Sequence, residues 1–217
     1  MAKSGSASKV KASGGARSEV TRQHLVDAAI ATLQDRGFAG TSARAIAERA
    51  GSNQGLIFYH FGSVANLLLA ALDAVSHSRL EQYGTSVAGT SSLTELVDAA
   101  TDIFQTDLDA GYLTVLVEMI AGASSSPGLG PEVAARIGPW QEFAQTAVES
   151  SLRDSPLAAL LPAKDVAYAV VALYLGLEML SHLDGDRGPA LDLFAHARLL
   201  AQLIERMTAT TTAEETT

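Results

Sequence analysis

The chain has 217 residues, 47% of them apolar and 6% aromatic, and contains no cysteine. That length suffices for a hydrophobic core without staples. The missing thiol excludes disulfide scaffolds, thiolate zinc sites, cysteine nucleophiles and thiol redox sensing. The net charge of −9 argues at first against a nucleic-acid partner, but residues 1–62 hold eight Lys/Arg and four acids, a net of +4, while residues 63–217 hold seven and twenty, a net of −13.

Residues 1–16 are rich in Ser, Gly, Ala and Lys with one aliphatic, Val10, and read as a disordered basic arm. They carry lysines but no apolar h-region, so no secretory signal is read and the expected compartment is the cytoplasm. A first helix follows from Leu25, Ala28, Ala29, Thr32 and Leu33, spaced i, i+3, i+4, i+7, i+8, and Gly37 stops it. Thr41 or Ser42 offers an N-cap to a second helix, Ala43–Ala50, ended by Gly51, and Asn53 caps a third running through His60. Gly62–Ser63 punctuates before a longer helix, Val64–Tyr83.

Further helices are predicted over Leu93–Ala110, Tyr112–Ala121, Pro131–Leu152, Lys164–His182 and Pro189–Met207, with breaks at Gly89–Ser92, Ser124–Gly130, Ser155–Pro162 and Asp184–Gly188. Gly138–Pro139 should kink or split the third of these. The longest apolar run, Val166 to Leu177, is ended by Glu178. Its twelve residues are too few for a membrane span of about 20, so a buried helix is expected and no membrane partner. Strand signals are nearly absent. The expected fold is all-α: an arm over residues 1–16, a three-helix helix-turn-helix DNA-binding domain over 17–62, a helical bundle over 63–207 and a disordered tail over 208–217.

The helix-turn-helix has a physical basis. Ile46 and Ala47 face a small core with Leu25, Ala29 and Leu33, Ala50 is small where helices approach, and Gly51 supplies the turn. The third helix then projects its N-terminal residues outward, where this motif meets the major groove.

The stretch Thr21–Leu68 also carries an ordered set of features: Ala28-Ala29, Arg36-Gly37-Phe38, Thr41-Ser42, Ile46-Ala47, Ala50-Gly51 and Phe58-Tyr59-His60-Phe61. It resembles the DNA-binding domain of TetR-family transcriptional regulators. Roughly fifty residues match in order, far more specific than a bare helix-turn-helix pattern. The resemblance implies that Arg44 reaches a base or phosphate, and that Asn53, Gln54, Gly55 and Leu56 open the recognition helix. Gln54 would pair with adenine, Leu56 would touch a thymine methyl, and Gly55 would let the backbone approach the duplex. Tyr59 and His60 resemble phosphate-contacting residues that set register, and Thr41 or Ser42 would donate to a phosphate. The sequence departs from the family pattern at Val64 and Gln54, where lysine is common. The arm, through Lys9, Lys11 and Arg17, is the expected compensation.

The acidic bundle resembles the family's ligand-binding and dimerisation domain. The Lys164–His182 helix is apolar on almost every side, so it must be buried on several faces. The expected homodimer interface comprises Ala169, Ala172, Leu173, Gly176 and Leu180 with Phe194, Ala197, Leu200, Ala201 and Ile204. The expected lining of an effector pocket is Phe104, Leu108, Tyr112, Leu116, Met119, Trp140, Phe143, Tyr168, Leu175 and Met179, with Glu118, Gln141 and His182 as polar groups. Such walls suit a small, mostly apolar ligand. Each of these residues also fits an ordinary core.

No enzyme motif is found. The five histidines, His24, His60, His77, His182 and His196, lack a dense metal-ligand pattern, and His77 with Glu81 reads as a solvated i, i+4 pair. Gly128-Leu129-Gly130 has no preceding strand and reads as a loop. The sequence therefore implies a homodimeric repressor, with no cofactor and no metal, that leaves a palindromic operator when a ligand binds. The rival reading is a helical small-molecule-binding protein that has lost DNA binding, favoured by Val64 and Gln54.

Overall fold

The computed structural model describes the backbone of residues 6–153, 160 and 162–214, and the side chains of these except residues 6–14 and 209–214. Among the described residues there are ten helices and no strand: α1 (Ser6–Gly40), α2 (Ala43–Arg49), α3 (Gln54–Phe61), α4 (Val64–Ala88), α5 (Leu93–Ala110), α6 (Tyr112–Ala123), α7 (Leu129–Ala135), α8 (Gly138–Leu152), α9 (Ala163–Asp184) and α10 (Gly188–Glu214). They form two compact units. One holds the chain to Val75 together with Thr114–Val133, and the other holds Ser76–Leu113 and the chain from Ala134.

In the first unit α1 packs on α2 and α2 on α3. Leu25, Ala29, Leu33, Ile46 and Ile57 are fully buried, as the apolar spacing predicts. The expected boundary after residue 62 is not where the units part. Helices α1–α3 alone bury too little surface to close a core, and the first half of α4 and most of α6 join them. Leu67, Leu68, Ala71 and Leu72 of α4 and Val115 and Met119 of α6 are buried.

In the second unit α8 packs on α9, α5 on α10, and α5 also meets α8 and α9. Polar ties hold α5 to α10. Arg198 pairs with Asp98 and Arg187 with Asp109, each at 2.7 Å, while the amide and hydroxyl of Thr94 both donate to Glu205 at 2.8 Å.

Several boundaries differ from expectation. The helix α1 begins at Ser6, so residues 6–16 are helical where a disordered arm is expected; residues 1–5 lie outside the described residues. Once α1 is nucleated, Ala and Lys extend it one hydrogen bond at a time. The helix α10 continues to Glu214 through most of the expected tail; residues 215–217 are not described. Pro139 falls in the first turn of α8, where its missing N–H costs nothing, so α7 and α8 are separate helices. Of the expected break at Ser155–Pro162, only residues 160 and 162 are described.

The helix α9 has 22 residues, longer than the apolar run, and is long and apolar enough to cross a membrane by length and composition alone. Its buried residues are Ala167, Glu178 and Ser181 and it packs against α8, but only 17% of its apolar stretch is buried. The helix expected to be buried on several faces thus leaves most of its apolar surface exposed in the single chain.

Candidate nucleic-acid interface and ligand region

The recognition helix is held by short side-chain caps. Ser42 accepts from the Ala45 amide at 3.2 Å and so caps α2, while Asn53 Oδ1 accepts from the Gly55 amide at 2.7 Å and caps α3. Between them Gly51 adopts φ 58°, a left-handed turn that a side chain would strain. After α3, Asn66 Nδ2 donates to the Phe61 carbonyl at 2.8 Å and Ser63 Oγ accepts from the Asn66 amide at 3.1 Å. Both ends of an eight-residue helix are therefore pinned by side chains.

One face of α3 buries Ile57 and Phe61. The other presents Asn53, Gln54 and Gly55 to solvent, with Leu56 and His60 half-buried. Tyr59 is 79% exposed, and its ring stands edge-on to His60, centroids 4.9 Å apart. Arg44 is exposed on α2. The two candidate donors before α2 are distinguished. The Thr41 hydroxyl donates to the Gly37 carbonyl at 2.6 Å and the residue is buried. Ser42 is exposed, and as a cap it accepts, which leaves its proton to donate.

Sequence reasoning overlooked Arg22. It is exposed on α1, with its guanidinium 4.8 Å from the Phe61 ring centroid, so it stands beside the last turn of α3. Its signal was a cation at the second position of the Thr21–Leu68 stretch. Arg17 is also exposed; the side chains of Lys9 and Lys11 lie outside the described residues.

The expected effector residues are divided. Leu116, Glu118 and Met119 belong to the first unit. Glu118 accepts a hydrogen bond from the Phe38 amide at 2.6 Å, and Met119 is fully buried. In the second unit Trp140 meets Phe143 at 6.3 Å between centroids, and Phe104 meets Tyr174 and Phe194 at 5.8 and 5.1 Å. Tyr112 and Trp140 share a cation, the Arg79 guanidinium, at 5.5 and 4.7 Å. Leu108, Gln141 and Leu175 are half-buried, whereas Tyr168, Met179 and His182 are exposed to solvent. A helix apolar on most sides gives no phase from which sequence could tell inward from outward residues.

Around Arg79 lies a cluster that sequence reasoning missed. Asp107, fully buried, receives the hydroxyls of Tyr83 and Tyr174 and pairs with Arg79. Burial raises both tyrosine pKa values, and in each case the Glu178 charge adds to the rise. Glu178 is also fully buried, yet neither carboxylate oxygen has a hydrogen-bond partner among the described residues. Burial pushes its carboxyl up to about 7, against the opposing pull of the Arg79 charge and the Tyr174 hydroxyl. The only signal in the sequence was an acid closing the apolar run.

On α9 the expected interface residues Ala169, Ala172, Leu173 and Leu180 are exposed and Gly176 is half-buried. On α10 Leu200 is exposed, but Phe194, Ala197 and Ile204 are half-buried and Ala201 is buried. Phe194 turns toward Phe104. The exposed apolar side chains of α10 are Leu199, Leu200, Leu203 and Met207.

These features define a helix-turn-helix protein with a helical second unit. Residues 25–71 match the family model for bacterial regulatory proteins of the tetR family. A Mycobacterium bovis protein named an uncharacterized HTH-type transcriptional regulator is 32% identical over 114 residues, which is 52% of this chain and 58% of the relative; the chain thus spans less than two thirds of that relative's length. Among solved structures, a TetR-family transcriptional regulator from Cytophaga hutchinsonii superposes with a TM-score of 0.71 at 18% identity, covering 87% of this chain and 96% of that one. The regulator FadR from Bacillus subtilis in complex with stearoyl-CoA gives 0.70 at 12%, covering 82% and 96%. Residues 25–71 thus resemble the DNA-binding domain of the tetR family, and the chain shares the fold of these regulators.

Proposed function

We propose that the chain is a sequence-specific DNA-binding transcriptional regulator of the cytoplasm, a homodimeric repressor released from a palindromic operator by a small, mostly apolar ligand. The observation that carries this reading is α3: capped at its start by Asn53, pinned at its end by Asn66, and presenting Asn53, Gln54, Gly55 and Tyr59 outward. A helix so held offers its N-terminal side chains to base edges, while the neighbouring Ser42, Arg44 and Arg22 suit phosphates.

A palindrome requires two copies, with recognition helices about 34–36 Å apart. The exposed apolar side chains of α9 and α10 support dimerisation, because a monomer rarely leaves so many together. Ligand release requires a second arrangement of the dimer with lower DNA affinity, favoured by the bound ligand. We assign the coupling to α4.

The test is selection of bound sequences from a random DNA pool by the full chain, followed by a salt titration. The reading expects an enriched palindrome and an affinity that falls steeply with salt. Enrichment of nothing would favour the rival, a helical ligand-binding protein without DNA binding.

A further inference from the structure

The charges around Arg79 do not balance. Arg79 and Asp107 neutralise each other, and Asp107 is saturated by the two tyrosine hydroxyls. The Tyr174 hydroxyl neighbours both carboxylates but has one proton, which goes to Asp107. Glu178 is left with two buried, unpartnered acceptor oxygens and Arg79 with one unpartnered donor, Nε; one donor cannot serve both oxygens, an arrangement native proteins avoid unless something else supplies the rest. The groups acting on it are Arg79 and Tyr83 from α4 and Tyr174 from α9 itself.

The surroundings are aromatic. Tyr112, Trp140 and Tyr174 are only half-buried, and the rings of Tyr83, Tyr112 and Trp140 already hold one flat cation, Arg79, at 5.7, 5.5 and 4.7 Å. Negative ring faces favour positive charge. Tyr83 also lines a groove of about 420 Å³ between α4 and α5 whose acids are Glu95, Asp102 and the Arg198-paired Asp98; Glu178 lies outside this lining. An anionic ligand would add a second uncompensated charge to a buried site.

We propose that this cluster in the second unit is the binding site for a small organic cation with N–H donors on an aromatic or apolar body, an amidinium or protonated amine, whose charged end seats on Glu178. This deepens the effector-regulated reading above and rests on it. The cation supplies the donors Glu178 lacks, and the aromatic walls cover its body.

Trp140 is the only tryptophan in the chain, so its fluorescence in the full-length protein reports on the site. Three probes of one size and different charge are benzamidinium, benzyl alcohol and benzoate. Benzamidinium should produce a saturable change with at least tenfold higher affinity than the other two. Glu178→Gln, checked for folding by circular dichroism, should lower that affinity at least tenfold.

If that variant does not fold, the wild type decides. Only ionised Glu178 takes the cation, so benzamidinium affinity should fall about tenfold between pH 8 and pH 6 for a single carboxyl titrating near 7. Absence of benzamidinium binding, equal or tighter benzoate binding, or pH-independent affinity would each overturn the proposal. So would an unchanged affinity in the folded Gln variant. Binding to the selected palindrome is scored separately. A chain that binds DNA but not benzamidinium loses this inference and keeps the regulator reading; one that binds benzamidinium but no DNA does the reverse.

Discussion

The Phe38 amide donates to the Glu118 carboxylate at 2.6 Å, across eighty positions of sequence. Phe38 follows Gly37, whose φ of 66° and ψ of −179° interrupt α1 and free that amide from the helical ladder. Glu118 of α6 takes it up, a charge-assisted bond worth about 1.5–3 kcal/mol. Glu118→Ala should therefore lower the melting temperature by several degrees, while Glu118→Gln, which keeps an acceptor oxygen, should lose less. Thermal melts of the two variants side by side check this.

The same junction excludes a side chain at Gly122. A Cβ there would stand 2.4 Å from the Phe38 ring, so one of the two must move. Gly122→Ala should cost about 1–3 kcal/mol by overpacking. Combining it with Phe38→Ala should cost less than the sum of the single changes, because the clash disappears with the ring. Additive losses in denaturant titrations would show that the ring can step aside.

Most helices could be read from the chain because their causes are local. Leu93–Ala110 agrees with α5 at both ends; Ser92 caps it and Gly111 closes it in the left-handed region. Asn53, Gly51 and Gly62 likewise mark α3 by their own chemistry. The face each long helix buries was not legible. On α10, Phe194 and Ala201 turn inward while Leu199, Leu203 and Met207 turn out, and all five fit helical spacing. The Arg79–Asp107–Glu178 cluster was hidden for a related reason. Its members lie on α4, α5 and α9, and only packing makes them neighbours.

At the proposed DNA face, neutral and charged contacts should separate experimentally. Tyr59→Ala combined with His60→Ala should weaken binding across all sequences, because phosphate contacts set register rather than identity. Gln54→Ala should relax base preference at one position of each half-site. Arg22→Ala should reduce the salt slope by about one, as expected when one phosphate contact is lost. A sequence-selective loss for the Tyr59/His60 pair, measured on a panel of operator variants, would contradict the phosphate role.

The exposed apolar face of α9 and α10 predicts a change of assembly. Leu173 and Leu200 are 54% and 60% exposed in the single chain, so a charge there should leave the fold intact. Burying it in a dimer would cost far more. Leu173→Glu and Leu200→Glu should each sediment as monomers with an unchanged circular dichroism spectrum. An intact dimer would remove that position from the interface.

Glu178 also predicts how stability depends on pH without any ligand. Its carboxyl is raised by burial from 4.5 to about 7 in the folded chain. An acid with a raised pKa contributes stability that is fully present below the unfolded value and is lost as pH rises through the folded one. The wild type should therefore lose stability between about pH 4.5 and pH 7 through this group, by on the order of 3 kcal/mol for a shift of that size. Glu178→Gln cannot ionise and should escape the loss. It should melt above the wild type at pH 8, with the advantage shrinking toward pH 4.5. Melting curves of both proteins over that range settle the sign: a Gln variant less stable at pH 8 would mean that ionised Glu178 has a stabilising partner after all.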